Sequence, residues 1–245
     1  LRFEMLKWPL DAYLNHKKVT VQKKTCYLVA PTDKKPWKLI LLTLIPLAIS
    51  VSKNSPNPND ALFIFRNNLP ENAQSALRFL SPNPPVVLDP IMCFPTLLMT
   101  ATHEKFDKKK NRINEMLDLD LQPLRSKIKR SPTLSGKICL AQNLAGVLEN
   151  AISTAFPDYP LYILKTDETP ENAADLVSSS HIFIGDHITS LIHIIWMNPS
   201  SHVIDATNKD YACNKWAEKL AHKLGVNYKE YMMMINVNVK TLIVI

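Results

Sequence analysis

Glycine is scarce. The 245 residues hold four, Gly136, Gly146, Gly185 and Gly225, none close to another. Folds that lay a phosphate against bare backbone need glycines grouped in one turn. Neither a G-x-x-x-x-G-K-[ST] loop nor a G-x-G-x-x-G fingerprint can be written from these four. Walker-type nucleotide hydrolases and the standard dinucleotide enzymes are thereby excluded. Cysteine is sparse too: Cys26, Cys93, Cys139 and Cys213 form no C-x-x-C pair, so neither a zinc ribbon nor a thioredoxin-type dithiol is expected. Cys139 lies in an apolar run and reads as a buried thiol.

Arginine stops early. None follows Arg130. Long hydrophobic runs are also missing; the best is Leu39–Ser52, fourteen residues interrupted by Pro46. That cannot cross a hydrocarbon layer of roughly 30 Å as a helix. It reads as a core helix, kinked or ended near Pro46, so no membrane segment is expected within this chain. The chain begins at Leu1 rather than methionine, the pattern of a fragment, and a targeting segment upstream is not read from it.

What is present is the composition of a packed protein, 46% hydrophobic and 21% charged, with a net charge of +7. Disorder and coiled coil are poor descriptions of it. The charge is uneven: residues 1–130 carry 21 Lys+Arg against 11 Asp+Glu, and 131–245 carry 8 against 11. The lysines cluster in twos and threes without interleaved aromatics, so no nucleic-acid partner is expected. The change of sign coincides with the loop Ser131-Pro132-Thr133-Leu134-Ser135-Gly136. Two domains are read from that coincidence, 1–130 and 131–245.

The first half gives short buried strands at Cys26–Ala30 and Ala61–Phe65, a helix over Glu71–Leu80, and a strand at Val86–Leu88. Residues 105–129 are charged and helical in part. The second half alternates more regularly. Strands are expected at Lys137–Ala141, Leu161–Lys165, His181–Gly185 and Val203–Asp205. Helices are expected at Ala145–Phe156, from Thr169 as N-cap through Ser178, at Thr189–Trp196, and at Tyr211–Leu224 before Gly225. Met232–Ile245 is apolar and strand-like. The alternation is that of a doubly wound parallel α/β sheet, whose ligands lie beyond the carboxyl ends of the strands.

That rule selects Gly185-Asp186-His187-Ile188-Thr189-Ser190. Thr189 or Ser190 can cap a helix whose free N–H groups suit a phosphate, and His187 can donate to a phosphate oxygen. An ordinary strand–helix turn capped by Asp186 or Thr189 is the plainer account of the same residues. Asp205, at the carboxyl end of the last expected strand, can accept from ribose hydroxyls, or serve only as a cap or loop carboxylate. His181, His193 and His202 show no metal-ligand spacing and read as surface or core histidines.

The stretch Ser178–Asp205, SSSHIFIGDHITSLIHIIWMNPSSHVID, resembles the signature of family 61 glycosyltransferases. That signature is a strand ending in glycine, a His-Gly-Ala-Gly-Leu turn, an apolar helix, a Met-Pro-Pro-Gly-like turn and a strand ending in an acid. Lys215–Tyr231, with Trp216, Leu220, Gly225 and Tyr228, is similar to the family's next helix and its lead into a strand. The likeness covers most of 131–231 and only faintly the first half.

The resemblance implies a GT-B arrangement of two Rossmann-like domains, the first on the acceptor side and the second holding a nucleotide-sugar. It implies inverting transfer to a glycan or glycoprotein hydroxyl in the Golgi or ER lumen, without a metal or other cofactor. Gly185, His187, Thr189, Ser190 and Asp205 would bind the donor. His187, Leu191 and Asp205 match the motif directly. Ile188, Thr189 and Ser190 replace Gly-Ala-Gly, and Ala141–Asn150 lacks the family's arginines. Leaving-group charge would then fall to Lys137 or Lys165, neither with arginine's fork. Weak turnover, or a binding module without turnover, is the expectation. A general base would come from Asp60, Asp89, His103 or Glu104.

Overall fold

The computed structural model describes residues 20–21, 24–29, 40–55, 57–65, 71–87, 92–93, 97–99, 120–128, 135–186, 189–207 and 215–232. The protein is mixed α/β, built on two parallel sheets of Rossmann-like type. In the first half the strands are β1 (Thr20–Val21), β2 (Thr25–Val29), β3 (Ala61–Phe65), β4 (Val86–Val87), β5 (Met92–Cys93) and β6 (Leu97–Met99). Four of them form a sheet in the order β4-β3-β2-β6, and β1 pairs with β5 apart from it. Helices α1 (Ile45–Asn54) and α2 (Glu71–Leu80) connect β2 to β3 and β3 to β4, and α3 (Gln122–Arg125) follows. Every pairing is parallel.

Both faces of this sheet are covered, which is why its strands read as unbroken apolar runs. Tyr27, Phe63 and Phe65 enter the main core, while Cys26, Leu62 and Ile64 fill the opposite face. The run around Pro46 forms a buried helix as expected, with a change of winding beside the proline. A π-turn at Ile40–Leu44 leads directly into α1, and Pro46 lies in the first turn of α1. Pro46 does not end the helix, which runs on to Asn54. No helix among the described residues is long and apolar enough to cross a membrane.

The second half contains β7 (Ser135–Ala141), α4 (Gln142–Ala155), β8 (Leu161–Leu164), α5 (Pro170–Ser178), β9 (Ser180–Asp186), a 3-10 helix (Leu191–Trp196), β10 (His202–Thr207), α6 (Trp216–Lys223) and β11 (Asn227–Met232). The sheet order is β11-β10-β9-β7-β8, all parallel. The direction of winding reverses between β7 and β9, where such sheets open a crevice.

Local signals place these elements. Thr169 Oγ1 accepts from Asn172 N at 3.3 Å with Pro170 in the first turn, and Gly225 ends α6 with φ of +70°. Two expectations are corrected and one lies partly outside the described residues. The helix expected at 189–196 is a shorter 3-10 turn. Residues 211–214 of the last expected helix lie outside the described residues, and α6 starts at Trp216. A fifth strand, β11, precedes the tail that was read as strand-like.

The sequence boundary at 130/131 lies among residues outside those described. The sheets fall on either side of it, yet one hydrophobic core contains residues of both halves. Helix α2 packs on α5, and Phe79 meets Trp196 edge-on at 5.7 Å between centroids. Arg125, buried, reaches from α3 to donate to the carbonyls of Ile195 at 2.6 Å and Met197 at 3.0 Å. It satisfies the open carbonyl end of the 3-10 helix.

Candidate functional site

The crevice between β7 and β9 is built from three chain segments: the start of α4, the loop after β8, and the turn after β9. Its lining includes Gln142, Asn143, Lys165, Thr166, Ser190 and His193. It is a partly open pocket, with about 50 Å³ accessible to the centre of a water-sized sphere. On that measure one water needs roughly 10–15 Å³, so the pocket takes one small polar group.

The turn after β9 is organised by Asp186. Its carboxylate accepts from Thr189 N at 3.2 Å, from Thr189 Oγ1 at 2.8 Å and from Ser190 Oγ at 2.6 Å. The Asp186 N–H donates to Ser190 Oγ at 2.7 Å. Burial alone would raise the Asp186 carboxyl, but hydrogen bonds from Ser190, Thr189 and Asn143 outweigh it and hold the pKa below the usual carboxylate range. Gly185 makes room for this knot: a Cβ there would lie 2.7 Å from Ser190 Oγ and 3.0 Å from Leu191 Cδ2.

The expected donor residues therefore sort as follows. Gly185, Thr189 and Ser190 stand together at the carboxyl end of β9, but both hydroxyls turn back onto Asp186. The reading of a capped helix whose N–H groups receive a phosphate is corrected, because the 3-10 helix spans only six residues and Ser190 makes no side-chain cap to it. His187 lies outside the described residues. The strand expected to end at Asp205 runs on to Thr207, so Asp205 lies inside β10, fully buried, between Gly185 and Glu230 in register. It accepts from the Tyr228 hydroxyl at 2.7 Å. Burial and this carboxylate push the Tyr228 phenol upward. A carboxylate so enclosed does not present itself to a ribose.

The two lysines separate as well. Lys137 lies over the Tyr162 ring, 5.4 Å from its centroid, whereas Lys165 lines the crevice. Of the candidate bases, Asp60 closes a 3-10 turn before β3, at the amino end of the first sheet. Asp89, His103 and Glu104 lie outside the described residues. His181 and His202 meet ring to ring at 5.2 Å at the amino end of β9 and β10. Among the described residues no three His, Cys, Asp or Glu converge as a metal site. Cys139 is fully buried, its thiol pushed up to about 12 chiefly by burial.

His193, read as an ordinary histidine, lines the crevice. It is nearly fully buried, and burial lowers its pKa to about 4 against the opposing charge of Asp186. The indole N–H of Trp196 donates to His193 Nδ1 at 3.2 Å. Since indole only donates, Nδ1 is the bare nitrogen and Nε2 carries the proton.

Helix α4 also begins here, earlier than expected. Ala141 is its N-cap, with no side chain to receive the first N–H groups and no acid in the first turn. Asn143, which by type suits a cap, bonds Asp186 instead. Gln142 Oε1 accepts from Thr166 N at 2.9 Å and ties the loop after β8 to this helix start. The sequence signals that could have found these residues were weak; strand order alone brings 141–143, 165–166 and 189–193 together.

No family model and no curated protein matches the chain. Among solved structures, one provisionally assigned as an aspartate carbamoyltransferase from Trypanosoma cruzi aligns at 9% identity over 91% of this chain and 88% of that one. Its TM-score is 0.16, a likeness too slight to carry an argument.

Proposed function

We propose that the chain is a divergent glycosyltransferase-like protein that binds a nucleotide-sugar at the crevice between β7 and β9. The observation that carries the reading is the uncapped start of α4 at the winding reversal of the second sheet, where ligands of such sheets collect. The resemblance of Ser178–Asp205 to the family 61 signature supplies the ligand class. In this reading the two sheets correspond to the halves of a GT-B enzyme. The first half faces a glycan or glycoprotein acceptor in the secretory lumen, and no metal takes part.

A specific set of contacts favours binding over turnover. A metal-independent transferase stabilises a departing diphosphate with aimed cations and donors. Here Thr189 and Ser190 bond Asp186, Asp205 bonds Tyr228, and Arg125 braces the 3-10 helix. Among the described residues Lys165 is the cation that lines the crevice.

Calorimetric titration of the full chain with nucleoside diphosphates and their sugars tests the reading. Binding, unaffected by a chelator and with little or no release of free sugar, is the expected result. A folded protein that binds none of them contradicts it.

A further inference from the structure

The resemblance drew attention to His187, but the geometry points to another histidine. We infer that His193 and the uncapped start of α4 form a single oxyanion subsite, in which His193 Nε2–H and the first N–H groups of α4 receive the oxygens of a phosphoryl group. The inference takes its location from the crevice described above and adds the contacting groups.

Two independent observations meet there. The first is α4 itself, fourteen residues long and opened by an alanine that caps nothing. The leading N–H groups of a helix have no partner within it and carry the positive end of its dipole. The second is the histidine. Its Nδ1 is occupied by Trp196, its side chain is more than nine-tenths buried, and it lines the cavity. Among the described residues Nε2 has no partner. Among the described residues no His193 nitrogen is sealed away from solvent without a partner, so Nε2 opens to the crevice.

A buried donor is expensive to leave unmade. An oxygen acceptor arriving in the crevice would complete it. Because the imidazole is neutral and fixed as the Nε2–H tautomer, it offers a donor at neutral pH without importing a charge. Lys165 at the mouth supplies the cation. Asp186 opposes an anion, but its carboxylate is already surrounded by four donors from Ser190, Thr189 and Asn143. The partly open pocket admits one small group such as a phosphoryl, with the remainder of a larger ligand outside.

The test uses the full chain labelled with ¹⁵N-histidine, titrated with inorganic pyrophosphate, with inorganic phosphate, and with a nucleotide-sugar. Before addition, His193 should show the Nε2-protonated neutral pattern at pH 7. Addition should move the His193 Nε2–H resonance, with saturation. Lys165→Gln, an exposed change, should weaken pyrophosphate roughly tenfold by removing one charge-assisted contact. A His193 signal that stays still at saturating pyrophosphate, or no binding of pyrophosphate at all, overturns the inference. Nucleotide-sugar binding with a silent His193 overturns it and leaves the donor reading standing. Pyrophosphate at His193 without nucleotide-sugar binding supports it and removes the donor reading.

Discussion

At the scale of single residues, the turn after β9 shows how one atom's absence shapes a site. Gly185 does not need an unusual backbone; it needs space. Ser190 Oγ is held from three sides by Asp186, so a new Cβ at 2.7 Å cannot be relieved by a rotamer change. Gly185→Ala is expected to cost about 2 kcal/mol, in the range of overpacked cores, and to lower the melting temperature by about 4–8 °C in a chain of this size. An unchanged melt would show that the knot around Asp186 is loose. The sequence disclosed the position of this glycine but not its reason, since the distance to Ser190 exists only in the folded turn.

His193 gives a pH dependence of definite sign. Its folded pKa of about 4 lies below the ordinary 6.5, so the unfolded chain takes up the proton first as pH falls. Stability is intact above about pH 6.5 and declines toward pH 4, by at most about 3 kcal/mol. Asp186, also depressed, loses its contribution only below the usual carboxylate range, while His202, lowered by its own burial and by His181, adds a slope of the same sign to that of His193. Melting temperatures measured from pH 7 to pH 4.5 should fall by several degrees, about 6 °C. His193→Gln should start lower and follow a flatter curve, and a wild-type curve without slope would place the imidazole in solvent. No pattern in LIHIIW marks this histidine, because its setting comes from Trp196 and from the strands of the sheet.

At the scale of elements, most of the second half was legible. Strand cores, the Thr169-Pro170 start and the Gly225 stop depend on neighbours within a few residues, and those signals survive folding unchanged. The failures share a cause in tertiary context. Helix α4 begins at Gln142 because Asn143 is drawn to Asp186, against its own preference for a cap. Strand β11 was missed because it is an edge strand whose Lys229 and Glu230 face solvent, the composition edges use against unwanted pairing. Near Pro46, where a kink or an end was expected, the chain changes from π to α winding and the helix continues to Asn54.

The 3-10 helix depends on a residue seventy positions away. Arg125 supplies the donors that its last carbonyls lack, and its burial leaves no water to replace them. Arg125→Gln should cost about 3 kcal/mol, the scale of a broken buried charged contact. Unfolding in denaturant would register it as a lower midpoint at constant slope. A midpoint within error of wild type would mean that Arg125 only borders the helix.

At the scale of the whole molecule, two parallel sheets share one core, with Phe79 against Trp196 and α2 against α5 at the junction. The scarcity of glycine that excluded the usual phosphate loops is consistent with this architecture. A helix start without a side-chain cap offers the same backbone donors without a glycine-rich turn. What composition could not convey was where the winding reverses, and hence which helix start opens into a crevice.

The most direct measurement is amide chemical-shift mapping of the full chain with a nucleoside diphosphate. The account predicts shifts concentrated at residues 141–143, 165–166 and 189–193. Shifts confined to the first half, or a saturating ligand that leaves those three segments unmoved, would contradict it.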